Sequence, residues 1–145
     1  VLLNLASNAR DAMPEGGNLT IKCDMLETED GLLPCNGRVK PGRYARITVE
    51  DNGHGMDEDT RTRIFEPFFT TKEVGKGTGL GLSLAYGVIN QHNGFIDVSS
   101  KPDQGAVFRI YLPMAPPPAR TDGKQCYTFP DQQTTEHGFQ TEHIP

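Results

Sequence analysis

The sequence has few cysteines, no excess of positive charge and no long hydrophobic run. Its 145 residues include three cysteines, an odd number without CxxC spacing, which argues against a disulfide framework and a zinc site. Lysine and arginine number 14 against 19 acidic residues, a net charge of −5, so a nucleic-acid surface is not expected. No apolar run approaches the roughly 18 residues that span a bilayer. These absences favour a domain from a reducing cytosol.

Glycine and proline are plentiful, with 16 and 11 residues, so much of the backbone lies in turns. From Pro116 onward the composition shifts to proline, glutamine and threonine, and Ile144 is the only isoleucine, leucine or valine. We therefore expect a domain at residues 1–115 and a disordered tail at 116–145 that does not pack.

Apolar residues recur with helical spacing in two stretches and alternate with strand spacing in four others. A short charged segment predicts a further helix that Asp57 caps. Residues 70–79, rich in glycine, threonine and lysine, predict a mobile loop that can act as a lid. The predicted helices are 2–13, 57–64 and 80–91 (the last with apolar Leu84, Ala85, Val88 and Ile89), and the predicted strands are 19–25, 44–51, 95–100 and 106–112.

Asp51 ends a strand whose apolar face is formed by Ala45, Ile47 and Val49, and alternation places its carboxylate on that same face. A buried carboxylate needs a hydrogen-bond donor. The exocyclic amine of adenine is such a donor, and the glycines that follow let a flat base approach the backbone. An ordinary Asp-Asn-Gly turn is the alternative, and the buried position weighs against it.

Asn4, Asn8 and Asp11 fall on one stripe of the first helix. Taken alone, this stripe is best explained as a solvated helix face. Its oxygen atoms are nevertheless of the kind that Mg²⁺ uses when phosphates complete its octahedron. The pattern therefore leaves both interpretations open.

Residues 75–82 alternate glycine with other residues and lead directly into the last helix. Backbone N–H groups and a helix N-terminus there predict phosphate binding, although the spacing is neither that of a Walker A motif nor that of a dinucleotide fold. A flexible linker is the alternative. Lys72 and Lys76 either reach phosphates or face solvent, and the sequence favours neither. The aromatic segment 64–69 is interpreted as a core anchor, and the alternative is that Phe68 and Phe69 hinge or cover the lid.

Four of these segments, in this order, resemble the N, G1, F and G2 boxes of sensor histidine kinases. A single box is a weak signal, but FEPFFTTK together with GKGTGLGLS is highly specific. The resemblance covers residues 1–113, and the family places further strands and a helix before the first box, so an N-terminally incomplete domain is expected. The matching segments are 4–12, 51–56, 65–72 and 77–82.

The resemblance implies a two-layer α/β sandwich of the Bergerat ATP-binding type, with a mixed sheet packed on helices and a flexible ATP lid. It implies that Asn8 is the principal Mg²⁺ ligand with Asn4 supporting it, and that Asp51 binds the adenine amine. The remaining positions line the base pocket, hold the phosphates or belong to the lid. The implied ATP-binding residues are Asn4, Asn8, Asp11, Asp51, Gly53, Gly55, Lys72, Gly77, Thr78, Gly79, Leu80 and Gly81.

The activity implied is that of a protein-histidine kinase, which transfers the γ-phosphoryl group of ATP to a histidine on a separate dimerisation domain. A response-regulator receiver domain is the second implied partner. None of the four histidines lies in an acceptor motif, so no catalytic residue is assigned here and the chain alone is expected to turn over little. The implied location is the cytoplasm, without nucleic acid as a partner, and a membrane anchor elsewhere in the parent protein is compatible with this.

Two alternatives remain open. The first is an ATPase of the same fold from the topoisomerase, mismatch-repair or heat-shock chaperone group, which uses a glutamate general base just before the first asparagine. The second is a degenerate nucleotide-binding or protein-docking module without turnover. FEPFFTTK and GLGLS favour the kinase, and appreciable ATP hydrolysis by the chain would revive the ATPase.

Overall fold

The computed structural model describes residues 1–29, 31, 39–73, 77–115 and the backbone of 142–144. The segments predicted as helices and strands are confirmed, with ends that shift by a few residues. The elements are α1 (Leu2–Ala12), β1 (Gly17–Thr28), β2 (Gly42–Asp51), α2 (Glu58–Arg63), α3 (Gly81–Gln91), β3 (Phe95–Ser100), β4 (Ala106–Pro113) and β5 (Glu142–Ile144). The helices in the described ranges reach 11 residues, and none of them could cross a membrane.

The strands form one sheet in the order β3-β4-β2-β1-β5. The expected two-layer arrangement of helices on a sheet is confirmed, but the expectation of a mixed sheet is wrong for the described strands, because all four pairings are antiparallel. The crossover through α2 and α3 does deliver β3 parallel to β2. However, β4 turns back and inserts between them, so the two parallel strands never pair.

The core lies between α1, α3 and the inner face of the sheet. Leu5 of α1 and Ile89 of α3 meet Val49, Phe108 and Ile110, and each of these side chains is at most 6% exposed. Burial of one such side chain stabilises the fold by about 1.5–3 kcal/mol. This packing fixes one face of α1 against the sheet and leaves the opposite stripe to face a cavity.

In helix α3, the stripe of apolar residues is wider than the face that is buried. Ala85 and Ile89 are buried against the sheet, whereas Leu84 and Val88 are 61% and 45% exposed. The sheet covers only one side of an 11-residue helix, so the second half of the apolar stripe remains at the surface.

Residues 142–144 differ from the expectation of an unpacked tail, because they pair with residues 17–19 at the edge of β1. The edge of a sheet presents unpaired N–H and C=O groups, and a short antiparallel segment satisfies them. The expectation for 116–141 and 145 lies outside the described residues.

Candidate functional site

Asp51 ends β2 with its side chain 8% exposed, as the strand alternation predicts. Its Oδ1 atom accepts a hydrogen bond from the backbone N–H of Gly53 at 2.9 Å. Burial raises the pKa of the Asp51 carboxyl, and hydrogen bonds from the backbone of Gly53 and Ala106 oppose that rise. The side chain therefore has a fixed position and lines a cavity.

The loop after Asp51 is clamped between α1 and the β3–β4 turn. His54 N–H donates to Ala12 O at 3.0 Å, and Gly105 N–H donates to Gly53 O at 2.9 Å. Gly55 has φ +64°, and a Cβ atom there would lie 2.0 Å from the carbonyl oxygen of Lys101. Only glycine fits this approach, so its backbone is held at the cavity wall.

The polar stripe of α1 faces the same cavity, which favours the binding interpretation over a solvated face. Asn4 Nδ2 donates to the carbonyl oxygen of Gly81 at 3.0 Å and so ties α1 to the first turn of α3. Further along α1, the ammonium of Lys72 lies 3.4 Å from Asn8 Oδ1 and 2.5 Å from Asp11 Oδ2. The hydrogen bond from Lys72 is the main reason that the pKa of Asp11 is lowered.

The segments that flank residues 74–76 run side by side at the entrance to α3. Phe68 N–H donates to Gly79 O at 2.9 Å. Gly79 has φ +64°, and a Cβ atom there would meet the Phe68 backbone at 2.4 Å. Gly75 and Lys76, for which phosphate contact was considered, lie outside the described residues.

In the aromatic segment 64–69, three of the four isoleucine and phenylalanine side chains pack in or against the core, and one does not. Ile64 is buried, and Phe65 and Phe69 pack against the core cluster. Phe68 is 74% exposed with φ +67°, so the core-anchor interpretation is wrong for this residue. Its backbone conformation turns the chain at the base of the predicted lid, and that turn directs the ring outward.

These elements enclose a cavity of about 1160 Å³. Ten of the residues expected to bind ATP line it, while Gly53 and Leu80 do not. Gly53 packs behind the wall, where a Cβ atom would lie 2.6 Å from Ala12 O. Sequence reasoning did not assign the apolar wall of the cavity, whose members lie in the motifs, in the aromatic segment and on β4: Met56, Ile64, Phe69, Leu82 and Phe108.

The donor set of the polar stripe is of the kind that a magnesium–nucleotide uses. No group of three or more histidine, cysteine, aspartate or glutamate side chains that could hold an ion occurs within the described ranges. Asn8 and Asp11 nevertheless direct two oxygen atoms at one cation, the Lys72 ammonium. Mg²⁺ is commonly bound by one or two protein oxygens with phosphates completing its shell, so these residues fit a metal that arrives with phosphates.

Comparison with known proteins gives consistent results. A family model described as "Histidine kinase-, DNA gyrase B-, and HSP90-like ATPase" matches residues 1–116. The chain is 50% identical over 113 residues to "Sensor kinase CckA" of Brucella abortus, covering 78% of this chain and 12% of that protein. The chain is 41% identical over 113 residues to "Sporulation kinase A" of Bacillus subtilis, covering 78% and 16%. It thus spans a small part of the length of these relatives.

Solved structures of histidine kinases also align with the chain. The catalytic domain of the histidine kinase ThkA, in a nucleotide-free form, aligns with a TM-score of 0.57 at 32% identity, covering 79% of this chain and 65% of that one. Full-length ShkA in complex with AMPPNP aligns with a TM-score of 0.56 at 31% identity, covering 82% and 22%. These likenesses confirm the fold type expected from the sequence motifs.

The close approach of Gly55 to Lys101, which we call the clamp, predicts a loss of stability when a side chain is added at Gly55. Gly55→Ala should lower the free energy of unfolding by more than about 2 kcal/mol, because the positive φ and the contact with Lys101 O both oppose a side chain. Gly87→Ala is the matched control: it lies in α3 with nothing within 4 Å of a Cβ atom, and it should raise stability by up to about 1 kcal/mol. Urea denaturation measures both, and equal effects of the two substitutions would contradict the clamp.

Proposed function

Because the chain belongs to the histidine kinase-, DNA gyrase B- and HSP90-like ATPase family, we propose that it is the ATP-binding catalytic domain of a two-component sensor histidine kinase. The observation that carries the proposal is that Asp51 and the Asn8–Asp11 stripe, far apart in sequence, face one cavity. The names of the sensor and sporulation kinases to which the chain is similar support the kinase over other members of the family.

The closed end of the cavity suits adenine. Asp51 offers a fixed carboxylate that can accept a hydrogen bond from the exocyclic amine. Met56 and Phe108 supply apolar walls for the flat base, and Gly55 exposes backbone at its edge. Together these residues bind and orient the base and exclude water from it.

The open end suits phosphates and a divalent cation. The N-terminus of α3 at Gly81 carries a positive partial charge toward the cavity, with Gly77, Thr78 and Gly79 leading into it. Asn8 is the proposed main magnesium ligand. Asn4 supports it, since its Nδ2 atom is committed to Gly81 O and its Oδ1 atom remains for the cation. When bound, Mg²⁺ supplies neutralisation of the phosphate charge.

The proposed reaction transfers the γ-phosphoryl group to a histidine on a partner dimerisation domain. A bond forms between phosphorus and an imidazole nitrogen, the bond from phosphorus to the β,γ-bridging oxygen breaks, and ADP leaves. The role of this chain is to hold the nucleotide so that the γ-phosphate faces the partner. A response-regulator receiver would then accept the phosphoryl group, and the setting is the cytoplasm.

The ATPase alternative requires a carboxylate general base near the γ-phosphate. The acidic residues that line the cavity are Asp11, Asp51 and Glu73. Asp11 is ion-paired with Lys72 and Asp51 lies at the adenine end. Neither of these two carboxylates is placed to act as that base, and the names of the similar kinases support transfer to a partner.

Asp51→Asn should weaken binding of a nonhydrolysable ATP analogue about 10- to 100-fold, the equivalent of one charged hydrogen bond of about 1.5–3 kcal/mol. Calorimetry measures the affinity. Glu50→Gln, which removes a charge from the exposed face of the same strand, should leave affinity unchanged. Equal affinities for wild type and Asp51→Asn would remove Asp51 from the site.

The same substitution should not destabilise the fold at neutral pH. Burial raises the pKa of Asp51, so its contribution to stability is present below its unfolded pKa and is lost as pH rises through the raised pKa. Asparagine retains an acceptor for Gly53 N–H and does not ionise. Urea denaturation at neutral pH should therefore give Asp51→Asn a stability at least equal to that of the wild type.

The kinase and the ATPase are separated by following labelled γ-phosphate. Mixed with a helical, histidine-bearing dimerisation domain of a sensor kinase, the chain should place acid-labile label on that domain, and alone it should release only a trace of free phosphate. Rapid release of free phosphate by the chain alone would instead support the ATPase. Binding without transfer or release would support the degenerate module.

A further inference from the structure

Lys72 joins the base of the predicted lid to helix α1. Its ammonium lies 2.5 Å from Asp11 Oδ2 and 3.4 Å from Asn8 Oδ1. The side chains of Lys72 and Asp11 are each 35% exposed, so water only partly screens the pair. One lysine therefore contacts both polar residues at the end of the stripe.

The backbone of Lys72 is held by a local hydrogen bond, whereas its long side chain can adopt other rotamers. Its N–H donates to Thr70 Oγ1 at 3.2 Å. A Cβ atom on Gly77 would lie 3.1 Å from Lys72 Cδ, so the stem passes close to that glycine. A lysine stem carries several rotatable bonds, so its charge can move by several ångströms without movement of the backbone.

An ammonium and a magnesium ion compete for Asn8 Oδ1. Mg²⁺ requires its oxygen ligands at about 2.1 Å in a near-ideal octahedron. With the ammonium at 3.4 Å from the same oxygen atom, the two positive centres would lie about 5 Å apart, where they repel each other. The contact seen between Lys72 and Asn8 therefore opposes binding of a divalent cation at that oxygen atom.

We propose that Lys72 is a displaceable resident cation, which holds Asn8 and Asp11 in place and competes with a divalent cation for Asn8. Asp11 keeps the ammonium within reach, so Lys72 remains beside the phosphates after it leaves Asn8. The inference deepens the proposed function and rests on its assignment of Asn8 to the metal. Its consequence is that metal binding and the position of the Lys72 side chain are coupled.

The test begins with the metal alone. Mn²⁺ binding is followed by electron paramagnetic resonance, without nucleotide, for wild type, Lys72→Met and Lys72→Arg. Lys72→Met should bind Mn²⁺ about tenfold or more tightly than wild type, the factor that corresponds to removal of one positive charge about 5 Å from a divalent ion in water. Lys72→Arg retains the charge and should match wild type. Lys22→Met, an exposed lysine on β1, controls for net charge.

A double-mutant cycle shows whether the effect passes through Asn8. In an Asn8→Ala background, the gain from Lys72→Met should disappear. A gain of the same size in that background, or equal Mn²⁺ affinities for wild type and Lys72→Met, would overturn the proposal. Circular dichroism spectra that match the wild type establish that each variant is folded.

The nucleotide measurement separates this inference from the proposed function. With an ATP analogue, the ratio of affinities with and without Mg²⁺ should rise about tenfold or more in Lys72→Met. An unchanged ratio, with wild-type binding intact, overturns the inference alone. A wild-type chain that binds no analogue overturns the proposed function, while the Mn²⁺ comparison still decides the role of Lys72.

Discussion

Keeping a carboxylate charged at the nearly buried end of a strand requires backbone donors, and Asp51 obtains one from Gly53 at 2.9 Å. The loop at 53–55, which carries that donor, is held between Ala12 and the β3–β4 turn. The clamp in turn depends on glycine, since a Cβ atom at Gly55 would overlap Lys101 O. Adenine recognition, as proposed here, thus depends on a strand end, a helix end and a turn that meet in one place.

Charge is balanced differently at the two ends of the cavity. At the closed end, burial raises the pKa of Asp51, so the free carboxylate is costly until a ligand donates to it. At the open end, Lys72 lowers the pKa of Asp11 and keeps it ionised. The first acid is suited to a neutral donor such as an amine. The second is suited to keeping a mobile cation beside the phosphates.

Local features of the fold could be predicted from the sequence because they follow from periodicity. Alternation along 44–51 places Asp51 on the buried face, and Asp57 caps α2 by accepting a hydrogen bond from Thr60 N–H at 2.8 Å, as predicted. Features that depend on contacts between distant segments could not be predicted in this way. The insertion of β4 between β2 and β3 depends on packing, and so does the choice of Ala85 over Leu84 as the buried side chain of α3.

The residues of the site could also be predicted where they follow from local motifs, but not where they depend on contacts between distant segments. The motifs identify ten residues that line the cavity, but Gly53 and Leu80 lie outside it, since a motif records spacing and not the direction of a wall. The contact between Lys72 and Asp11, 61 residues apart, had no local signal. The fold brings the two residues together, and only the structure shows that the Lys72 ammonium contacts both Asn8 and Asp11.

Discrimination between purine bases tests the central claim most directly, because guanine carries a carbonyl oxygen where adenine carries the amine. Calorimetric titration with nonhydrolysable ATP and GTP analogues, on wild type and Asp51→Asn, gives the preference for adenine and its dependence on Asp51. We expect the wild type to favour the adenine nucleotide by about tenfold or more, and the substitution to remove most of that preference. Equal affinity of the wild type for both nucleotides would contradict the account of the site.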